Sequence, residues 1–189
     1  MRIISGQYKG RRFQLPPQLK ARPTTDFAKE SLFNILGNLV DFEELKVLDL
    51  FAGTGSIGLE FVSRGAASVT CVEQYLPHVQ FIRSVAEKLK TNRLMLVKGD
   101  AYQYIQKCGR RFDVVFADAP YADPHLPEIP HRVFEAGLLN PGGWLVVEHS
   151  KANDFSQEAY WQDMRSYGSV HFSFFQMPEE DTSLDKTEM

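Results

Sequence analysis

The chain of 189 residues is 43% hydrophobic and 24% charged, with a net charge of −3; this composition indicates one globular domain with at most a small appendage and is no argument for nucleic-acid binding by itself. The chain has no apolar run of the length that spans a membrane and no apolar signal-peptide core at its start, so we expect a cytoplasmic protein without membrane contact. Its two cysteines and five histidines have no metal-ligand spacing, so we expect reduced thiols and no metal.

The amino-terminal segment has the pattern of a basic hairpin. Two short strands are predicted around a pair of glycines, and residues 1–29 carry seven basic side chains against one acidic side chain. A basic end on an acidic body is typical of contact with a polyanion. We therefore predict that residues 1–20 form a small unit that contacts RNA or DNA through Lys9, Arg11 and Arg12. An ordinary edge hairpin with a solvated basic face is the alternative.

A helix is predicted before the first core strand. It covers Phe27–Leu39, with Thr25 or Asp26 as its N-cap. A helix here can close over a cofactor site, and a plain packing role explains its pattern equally well. Its predicted apolar stripe consists of Phe27, Leu32, Phe33, Leu36 and Leu39.

A glycine-rich turn follows the strand predicted over Lys46–Phe51. The segment from Gly53 to Gly58 has the spacing GxGxxG and leads into a helix, so backbone N–H groups can face a ligand. Two cofactors fit such a turn, NAD and S-adenosylmethionine (SAM), and a tight turn without a ligand is the plain alternative. Asp49 would repel a pyrophosphate and attract a cation, which favours SAM as the ligand of Asp49, Gly53 and Gly55.

Acidic residues also end or follow two later strands. Glu73 ends the strand predicted over Ser68–Glu73, where a carboxylate can accept both hydroxyl hydrogens of a ribose, in NAD as well as in SAM. Asp100 and Ala101 follow the third strand, whose carboxyl end faces the same crevice in a doubly wound sheet. Asp100 can accept from an adenine amino group while the Ala101 N–H donates to the ring. Asp100 can equally cap the next helix.

Strands and helices alternate through the rest of the chain, which predicts an α/β fold with a doubly wound sheet. The last β segment, Ser169–Gln176, is predicted to form a hairpin with Arg165–Tyr167 before it, rather than another βαβ unit. The acidic tail, residues 178–189, is expected to be disordered. The predicted helices after the glycine turn are 57–64, 76–90, 101–107, 129–139 and 156–164, and the later strands are 93–97, 112–117 and 144–148.

A four-residue motif, Asp118-Ala119-Pro120-Tyr121, follows the fourth strand. The amino group of a nucleobase is a weak nucleophile because its lone pair is delocalised. Asp118 and a backbone carbonyl of the turn, which Pro120 makes rigid, can hold both amino hydrogens and aim the lone pair at a sulfonium methyl, while Tyr121 stacks on the base. Methyl transfer then depends mainly on positioning, and Asp118 takes the proton once the nitrogen is cationic. A loop turn with a capping aspartate is the plain alternative.

With these motifs the sequence resembles the RsmD-type 16S rRNA guanine-N2 methyltransferases, a bacterial class I SAM-dependent family. The resemblance runs from Arg2 to about Gln176. The amino-terminal blocks together are specific to this family, whereas the glycine turn is shared by many methyltransferases. The matching blocks are residues 2–6, 10–12, 22–26, 30–34, 49–55 and 118–121.

The resemblance implies a Rossmann-like fold with a mostly parallel seven-stranded sheet, a C-terminal β-hairpin and an amino-terminal RNA-binding hairpin, with residues 21–177 as the methyltransferase domain. It implies methyl transfer from SAM to N2 of one guanine in small-subunit rRNA or the assembled 30S subunit, with S-adenosylhomocysteine as product; we expect a monomer. Carried over by position, the SAM site would include Asp49, Gly53, Gly55, Glu73 and Asp100, the guanine site Asp118, Pro120 and Tyr121, and Arg22, Thr24 and Thr25 would lie near the active site.

One residue departs from the family pattern. The motif usually has proline in second place, where this chain has Ala119. Because Pro120 still favours an extended residue 119, we predict slower turnover or a looser site rather than loss of the reaction. Three alternatives remain: an amino-methyltransferase for another base of RNA or DNA, a non-catalytic RNA-binding assembly factor that kept the fold, and an NAD-dependent oxidoreductase, against which Asp49 and the motif argue.

Overall fold

The computed structural model describes residues 1–17, 19 and 25–180 of the chain. Within these ranges seven strands form one sheet, in the order β3-β2-β1-β4-β5-β7-β6. The strands are β1 (Lys46–Leu50), β2 (Ser68–Glu73), β3 (Leu94–Lys98), β4 (Phe112–Ala117), β5 (Leu139–His149), β6 (Trp161–Tyr167) and β7 (Val170–Gln176).

The sheet is doubly wound and mostly parallel. Strands β1 to β5 pair in parallel, and β7 runs antiparallel to both β5 and β6. The chain winds outward from β1 through β2 to β3 and then crosses to β4, so the carboxyl ends of β1 and β4 border a crevice at the switch point. The predicted Rossmann-like sheet with its C-terminal hairpin is confirmed.

Helices cover both faces of this sheet. On one face, Val47 belongs to an apolar cluster with Phe33 and Phe61, and on the other face Leu48 belongs to a cluster with Ile105. Neighbouring residues of a strand thus point to opposite layers. The α-helices of the described ranges are α1 (Asp26–Leu39), α2 (Ser56–Ser63), α3 (Leu76–Leu89), α4 (Ala101–Lys107) and α5 (Ile129–Glu135), and a 3-10 turn covers Leu126–Glu128.

The structure differs from the predicted elements most clearly between β5 and β7. The helix predicted over 156–164 is wrong: residues 156–160 form turns, and β6 begins at Trp161. Trp161 pairs with Phe175 of β7. A strand is stabilised by such pairing with a distant segment, and local periodicity does not register it.

The strand before this hairpin is longer than predicted. β5 begins at Leu139 instead of residue 144, and α5 ends at Glu135 instead of residue 139. Gly137 has a φ of +62°, which ends the helix, and Leu139 pairs with Phe112 before the register shifts. The loop predicted between helix and strand is therefore largely part of the sheet.

Helix α1 has the predicted cap but not all of the predicted stripe. The Thr25 hydroxyl accepts the backbone N–H of Ala28 at 3.2 Å, and Leu32 is among the side chains of α1 that are fully buried. Phe27 is 68% exposed and Leu39 is 38% exposed, so neither belongs to the buried face. Phe27 instead contacts Tyr167 edge-on, with ring centroids 5.9 Å apart.

The amino-terminal segment is a hairpin held by few backbone bonds. Arg2 and Arg12 form an isolated antiparallel bridge, so the two predicted strands reduce to single-residue pairing with flanking hydrogen bonds. The turn of this hairpin lies on the end of α2, where a Cβ at Gly6 would overlap the carbonyl oxygen of Ser63. Only glycine fits there, with a φ of +80°.

A buried carboxylate fastens this hairpin to α2. Glu60 accepts the backbone N–H groups of Ile4 at 2.8 Å and Ser5 at 2.9 Å, and Arg64 donates to the same carboxylate at 3.0 Å. The ammonium of Lys29, only 1% exposed, donates to the Arg2 carbonyl at 2.6 Å and the Ser56 hydroxyl at 3.0 Å and lies 3.6 Å from Glu60. The hairpin, α1 and α2 are thereby joined through one polar network.

The end of the described chain lies beside β5. The backbone N–H of Gly142 donates to the carbonyls of Met177 and Pro178 at 3.0 and 3.3 Å. Residues 181–189 lie outside the described ranges. Among the residues that are described, no helix is both long and apolar enough to cross a membrane.

Candidate functional site

A cavity of about 920 Å³ opens at the carboxyl ends of the five parallel strands. The turns that follow β1, β2, β3 and β4 form most of its wall. The turn between β6 and β7 and the N-cap residue of α1, Thr25, complete it. Its position is the switch-point crevice at which doubly wound sheets bind ligands.

The wall of this cavity is acidic. Four carboxylates line it, those of Glu73, Asp100, Asp118 and Glu148, whereas no lysine or arginine does so among the residues that the structure describes. Carboxylates gathered around a cavity attract a cationic ligand and repel an anionic one. A ligand with a sulfonium and an ammonium group fits this wall, and a pyrophosphate does not.

The glycine turn after β1 is held against the end of β2. The Gly53 N–H donates to Glu73 Oε2 at 2.7 Å, and the Tyr75 N–H donates to Glu73 Oε1 at 2.7 Å. Gly53 has a φ of +55°, and a Cβ there would meet only the Phe51 carbonyl oxygen, 3.9 Å away. The turn therefore presents bare backbone to the cavity beside the Glu73 carboxylate.

Two of the residues that were predicted for the cofactor site lie beneath the turn instead of in the cavity wall. Asp49 is 1% exposed because odd-numbered residues of β1 point toward α2, and its carboxylate accepts the Gly58 N–H at 2.9 Å. Burial raises the pKa of Asp49 to about 7, against the opposing effect of the Gly58 hydrogen bond. At Gly55, a Cβ would stand 2.9 Å from the Ile82 side chain, so this glycine permits close packing of α3.

The third strand contributes a helix N-terminus to the cavity. Asp100 and Ala101 both line it. Asp100 is the N-cap of α4, and its Oδ1 accepts the Gln103 N–H at 2.9 Å. Capping leaves its second carboxylate oxygen available to a ligand, so both functions considered for this residue are compatible.

The motif after β4 lies on the opposite side of the cavity from Glu73. Asp118, Ala119, Pro120 and Tyr121 all line the cavity, and Ala119 is 1% exposed. The Tyr121 hydroxyl donates to Glu148 Oε1 at 3.2 Å. The aromatic ring that was predicted to stack on a base is thus tethered to the neighbouring strand.

Glu148 is a residue of the wall that the sequence analysis missed. It is 5% exposed and lies in β5. Val147, the residue before it, pairs with Ala117, so Glu148 and Asp118 occupy adjacent positions at the ends of neighbouring strands. The signal was present, because a carboxylate near the end of an apolar strand had already identified Glu73.

The predicted substrate-binding residues are only partly gathered here. Thr25 lines the cavity, whereas Lys9, Arg11 and Arg12 do not, and Arg22 and Thr24 lie outside the described residues. Arg11 donates to the carbonyl of Lys88 in α3 at 3.3 Å. The turn of the hairpin contacts the end of α2, where the Gln7 N–H donates to the Ser63 carbonyl, whereas the start of α2 at Ser56 lines the cavity.

Among the described residues no group of three or more His, Cys, Asp or Glu side chains is arranged to hold a metal ion. Cys71 is buried with a free thiol, whose Sγ lies 3.9 Å from Asp49 Oδ2.

Known proteins resemble this chain over most of its length. The profile of a family described as Conserved hypothetical protein 95 matches residues 1–176. The chain is 36% identical over 149 residues to Ribosomal RNA small subunit methyltransferase D of Escherichia coli strain K12, covering 78% of this chain and 71% of that protein. It is 34% identical over 151 residues to the protein of the same name from Buchnera aphidicola, covering 78% and 75%. A solved structure described as "Putative methyltransferase yhhF from Escherichia coli" is 30% identical, with a TM-score of 0.83 over 95% of this chain and 99% of that one.

Proposed function

The chain belongs to the family described as Conserved hypothetical protein 95, and we propose that it is an enzyme that transfers a methyl group from SAM to the exocyclic N2 amine of a guanine in small-subunit rRNA. The observation that carries this proposal is the acidic wall of the cavity, with four carboxylates and, among the described residues, no lysine or arginine. The names of its relatives, Ribosomal RNA small subunit methyltransferase D, support the rRNA substrate.

The chemistry of the wall fits SAM at the end of the cavity formed by β1, β2 and β3. SAM supplies an electrophilic methyl group on a positively charged sulfur. Glu73 holds the glycine turn and has lone pairs left to accept ribose hydroxyls. Asp100 accepts an adenine amino group while the Ala101 N–H, at the start of α4, donates to the ring. The Gly53 backbone lets the amino-acid end approach closely.

Asp49 and Gly55 have an indirect part in this proposal. Asp49 accepts the Gly58 N–H and so fixes the start of α2, and Gly55 keeps the turn close to α3. Both residues shape the turn that contacts SAM without lying in the wall themselves.

The residues of the 118–121 motif act on the guanine. Asp118 and the Ala119 carbonyl accept the two hydrogens of the amine, which turns its lone pair toward the methyl group, and Pro120 keeps the turn rigid. Tyr121 stacks on the base, with its hydroxyl fixed by Glu148. The carboxylate of Asp118 takes the proton that the amine loses after the C–N bond has formed. Rate enhancement comes chiefly from orientation, since the reacting groups are held in line.

Contact with the rRNA extends beyond the cavity in this proposal. The exposed Lys9, Arg11 and Arg12 bind phosphates, and Thr25 lies at the cavity where the RNA enters. Arg22 and Thr24 are proposed to act beside it. We propose that a monomer binds the assembled small subunit in the cytoplasm through residues 1–20, with residues 21–177 as the methyltransferase domain.

The test is transfer of labelled methyl groups from SAM to small ribosomal subunits that lack their guanine methylations. Free rRNA and duplex DNA serve as controls, and the product is digested to nucleosides. N2-methylguanosine formed on subunits is the expected result. Label in another base would overturn the guanine assignment, and label in DNA would overturn the rRNA assignment. SAM binding without any transfer would indicate a different substrate or a site impaired by Ala119, and RNA binding without SAM binding would favour a non-catalytic RNA-binding factor. Binding of NAD in place of SAM would favour an oxidoreductase.

A further inference from the structure

A second carboxylate stands next to the one that holds the amine. Glu148 is 5% exposed and lines the cavity. Since Val147 pairs with Ala117 in a parallel register, Glu148 and Asp118 follow at matching positions and project to the same face of the sheet. Tyr121 donates its hydroxyl hydrogen to Glu148 at 3.2 Å, which fixes the orientation of this carboxylate.

The other two acidic residues of the wall lie at the turns after β2 and β3. Both oxygens of Glu73 accept backbone N–H groups at 2.7 Å, at the glycine turn, and Asp100 caps α4. Because β5 pairs directly with β4, Glu148 is the carboxylate of the wall that lies nearest in the sheet to Asp118. A base whose amine lies at Asp118 can therefore present the ring atom beside that amine to Glu148.

The atom beside the amine differs among the bases that carry one. In guanine, the N2 amine has two neighbouring ring nitrogens: N1 bears a hydrogen and is a donor, and N3 has a lone pair and is an acceptor. In adenine and cytosine, the ring nitrogen next to the amine (N1 and N3, respectively) has a lone pair and is an acceptor. An ionised carboxylate is only an acceptor. A carboxylate beside this ring nitrogen, on the N1 side of guanine, therefore accepts a hydrogen bond from guanine. It repels the lone pair of adenine N1 or cytosine N3.

We propose that Glu148 determines base specificity by accepting the N1–H of the guanine whose N2 amine Asp118 holds. This inference rests on the proposed function and adds to it the group that selects the base. A buried acceptor without its donor is costly, and sites that hydrogen-bond a substrate N–H reject analogues lacking it strongly. The pair of carboxylates then reads two adjacent donors of one base edge.

The test compares guanosine with 2-aminopurine ribonucleoside at the methylated position, once that position has been mapped in the wild-type product. Small subunits are assembled from ligated rRNA that carries either base. Both bases have the 2-amino group, but N1 of 2-aminopurine has no hydrogen. For the wild type we expect kcat/KM to be on the order of a hundredfold higher for guanosine, the size of one hydrogen bond to a charged group.

In the Glu148→Gln variant, the ratio of kcat/KM for guanosine to kcat/KM for 2-aminopurine should be about tenfold or more lower than in the wild type. The reason is that the amide N–H can donate to N1 of 2-aminopurine. Glu158→Gln, which removes an exposed carboxylate outside the cavity, should keep the wild-type ratio. Calorimetric titration with SAM establishes that each variant is folded.

Equal use of both bases by the wild type would overturn the inference, as would a Glu148→Gln ratio within twofold of the wild type. The wild-type comparison alone decides the matter if the variant fails to bind SAM. Absence of N2-methylguanosine from wild-type reactions on guanosine subunits would instead count against the proposed function, so the two failures are distinct.

Discussion

The backbone N–H of Gly53 donates to the carboxylate of Glu73 at 2.7 Å, which joins the turn after β1 to the end of β2. The second oxygen of that carboxylate accepts the Tyr75 N–H at the same distance. One side chain thus sets the spacing of two cavity turns before any ligand contacts it. A residue proposed to bind ribose is for this reason also part of the scaffold.

Glu73→Gln should weaken both the fold and SAM binding. The amide oxygen can accept one of the two backbone N–H groups, and the other then faces an amide NH₂. We expect the free energy of unfolding to fall by about 1–3 kcal/mol and SAM affinity to fall roughly tenfold or more. Urea unfolding and calorimetric titration measure these quantities. Glu87→Gln, on the exposed face of α3, is the matched control, and equal behaviour of the two variants would contradict the assignment.

Asp118→Asn should abolish most of the transfer while leaving SAM binding nearly intact. The amide presents one acceptor and one donor where the amine needs acceptors, and it cannot take the proton as the Asp118 carboxylate does. We expect kcat to fall by about 10²–10⁴, with the SAM dissociation constant within about threefold of the wild type. Single-turnover methylation and calorimetry test this. Turnover near the wild-type rate would mean that Asp118 has no part in the methyl transfer.

Asp49→Asn should change the pH dependence of stability. The pKa of Asp49 is raised to about 7 in the folded protein by burial, whereas the unfolded chain releases this proton near pH 4. Between these values the unfolded state loses its proton first, so the contribution of Asp49 to stability is present at low pH and is lost as pH rises through about 7. Asparagine cannot lose that proton.

The free energy of unfolding of Asp49→Asn relative to the wild type should therefore rise by roughly 2–3 kcal/mol from pH 5 to pH 8. Urea unfolding at the two pH values gives the difference. A constant difference between the two proteins would mean that Asp49 is already ionised at pH 5.

Lys29→Met should loosen the hairpin. The variant deletes the donor to the Arg2 carbonyl and the Ser56 hydroxyl and removes a buried positive charge beside Glu60. Burial lowers the pKa of Lys29, against the opposing effect of Glu60, so part of the loss is offset by the removal of a desolvated charge. We expect a destabilisation of about 3 kcal/mol.

Hydrogen exchange locates this effect. The amides of Ile4 and Ser5, which donate to Glu60, should exchange faster in Lys29→Met than the global loss of stability explains. Lys46→Met, at an exposed position at the start of β1, should stay within about 0.5 kcal/mol of the wild type. If the protection of the two amides from exchange is unchanged, Lys29 does not stabilise the hairpin.

Charge reversal of Arg11 and Arg12 to Glu should weaken binding to the small subunit and flatten its salt dependence. For every phosphate that the variant no longer neutralises, the slope of log K against log salt falls by roughly one. Arg110 and Arg111, exposed at the start of β4, lie at the opposite end of the sheet from the cavity, and their reversal is the control. If both pairs of substitutions act alike, the hairpin has no special part in RNA binding.

Most of the sheet could be predicted because its strands are short apolar runs bounded by turn residues. The bounds of β2, β4 and α4 agree with prediction. β2 begins at Ser68 and ends at Glu73, and β4 lies between Arg111 and Asp118. Only the end of β6, Arg165–Tyr167, was predicted as part of the hairpin. Its first residues could not be found in this way, since they alternate weakly and the strand is stabilised by pairing with β7. Phe27 was assigned to a buried stripe because its spacing fits, yet it lies at the first turn of α1, beyond the layer that the helix covers.

The site was predictable at the ends of strands and less so within them. Glu73, Asp100 and Asp118 follow or end their strands, and all three line the cavity. Asp49 lies one residue before the end of β1, and side-chain alternation turns it toward α2. Glu148 was not predicted, although like Glu73 it lies near the end of an apolar strand. Its contact with Tyr121 spans 27 residues, and it lies beside Asp118 because of the register of β4 and β5.

The bonds from Glu60 to Ile4 and Ser5 span 56 and 55 residues, which sets an order of events during synthesis. The amino-terminal segment emerges first, but its docking surface on α2 does not yet exist. At elongation rates of about 5–20 residues per second, the segment waits for roughly 3–10 s as an undocked cationic chain. The hairpin can dock on the domain only after α2 has formed. Nascent chains that end before residue 60 therefore lack the surface to which the hairpin binds.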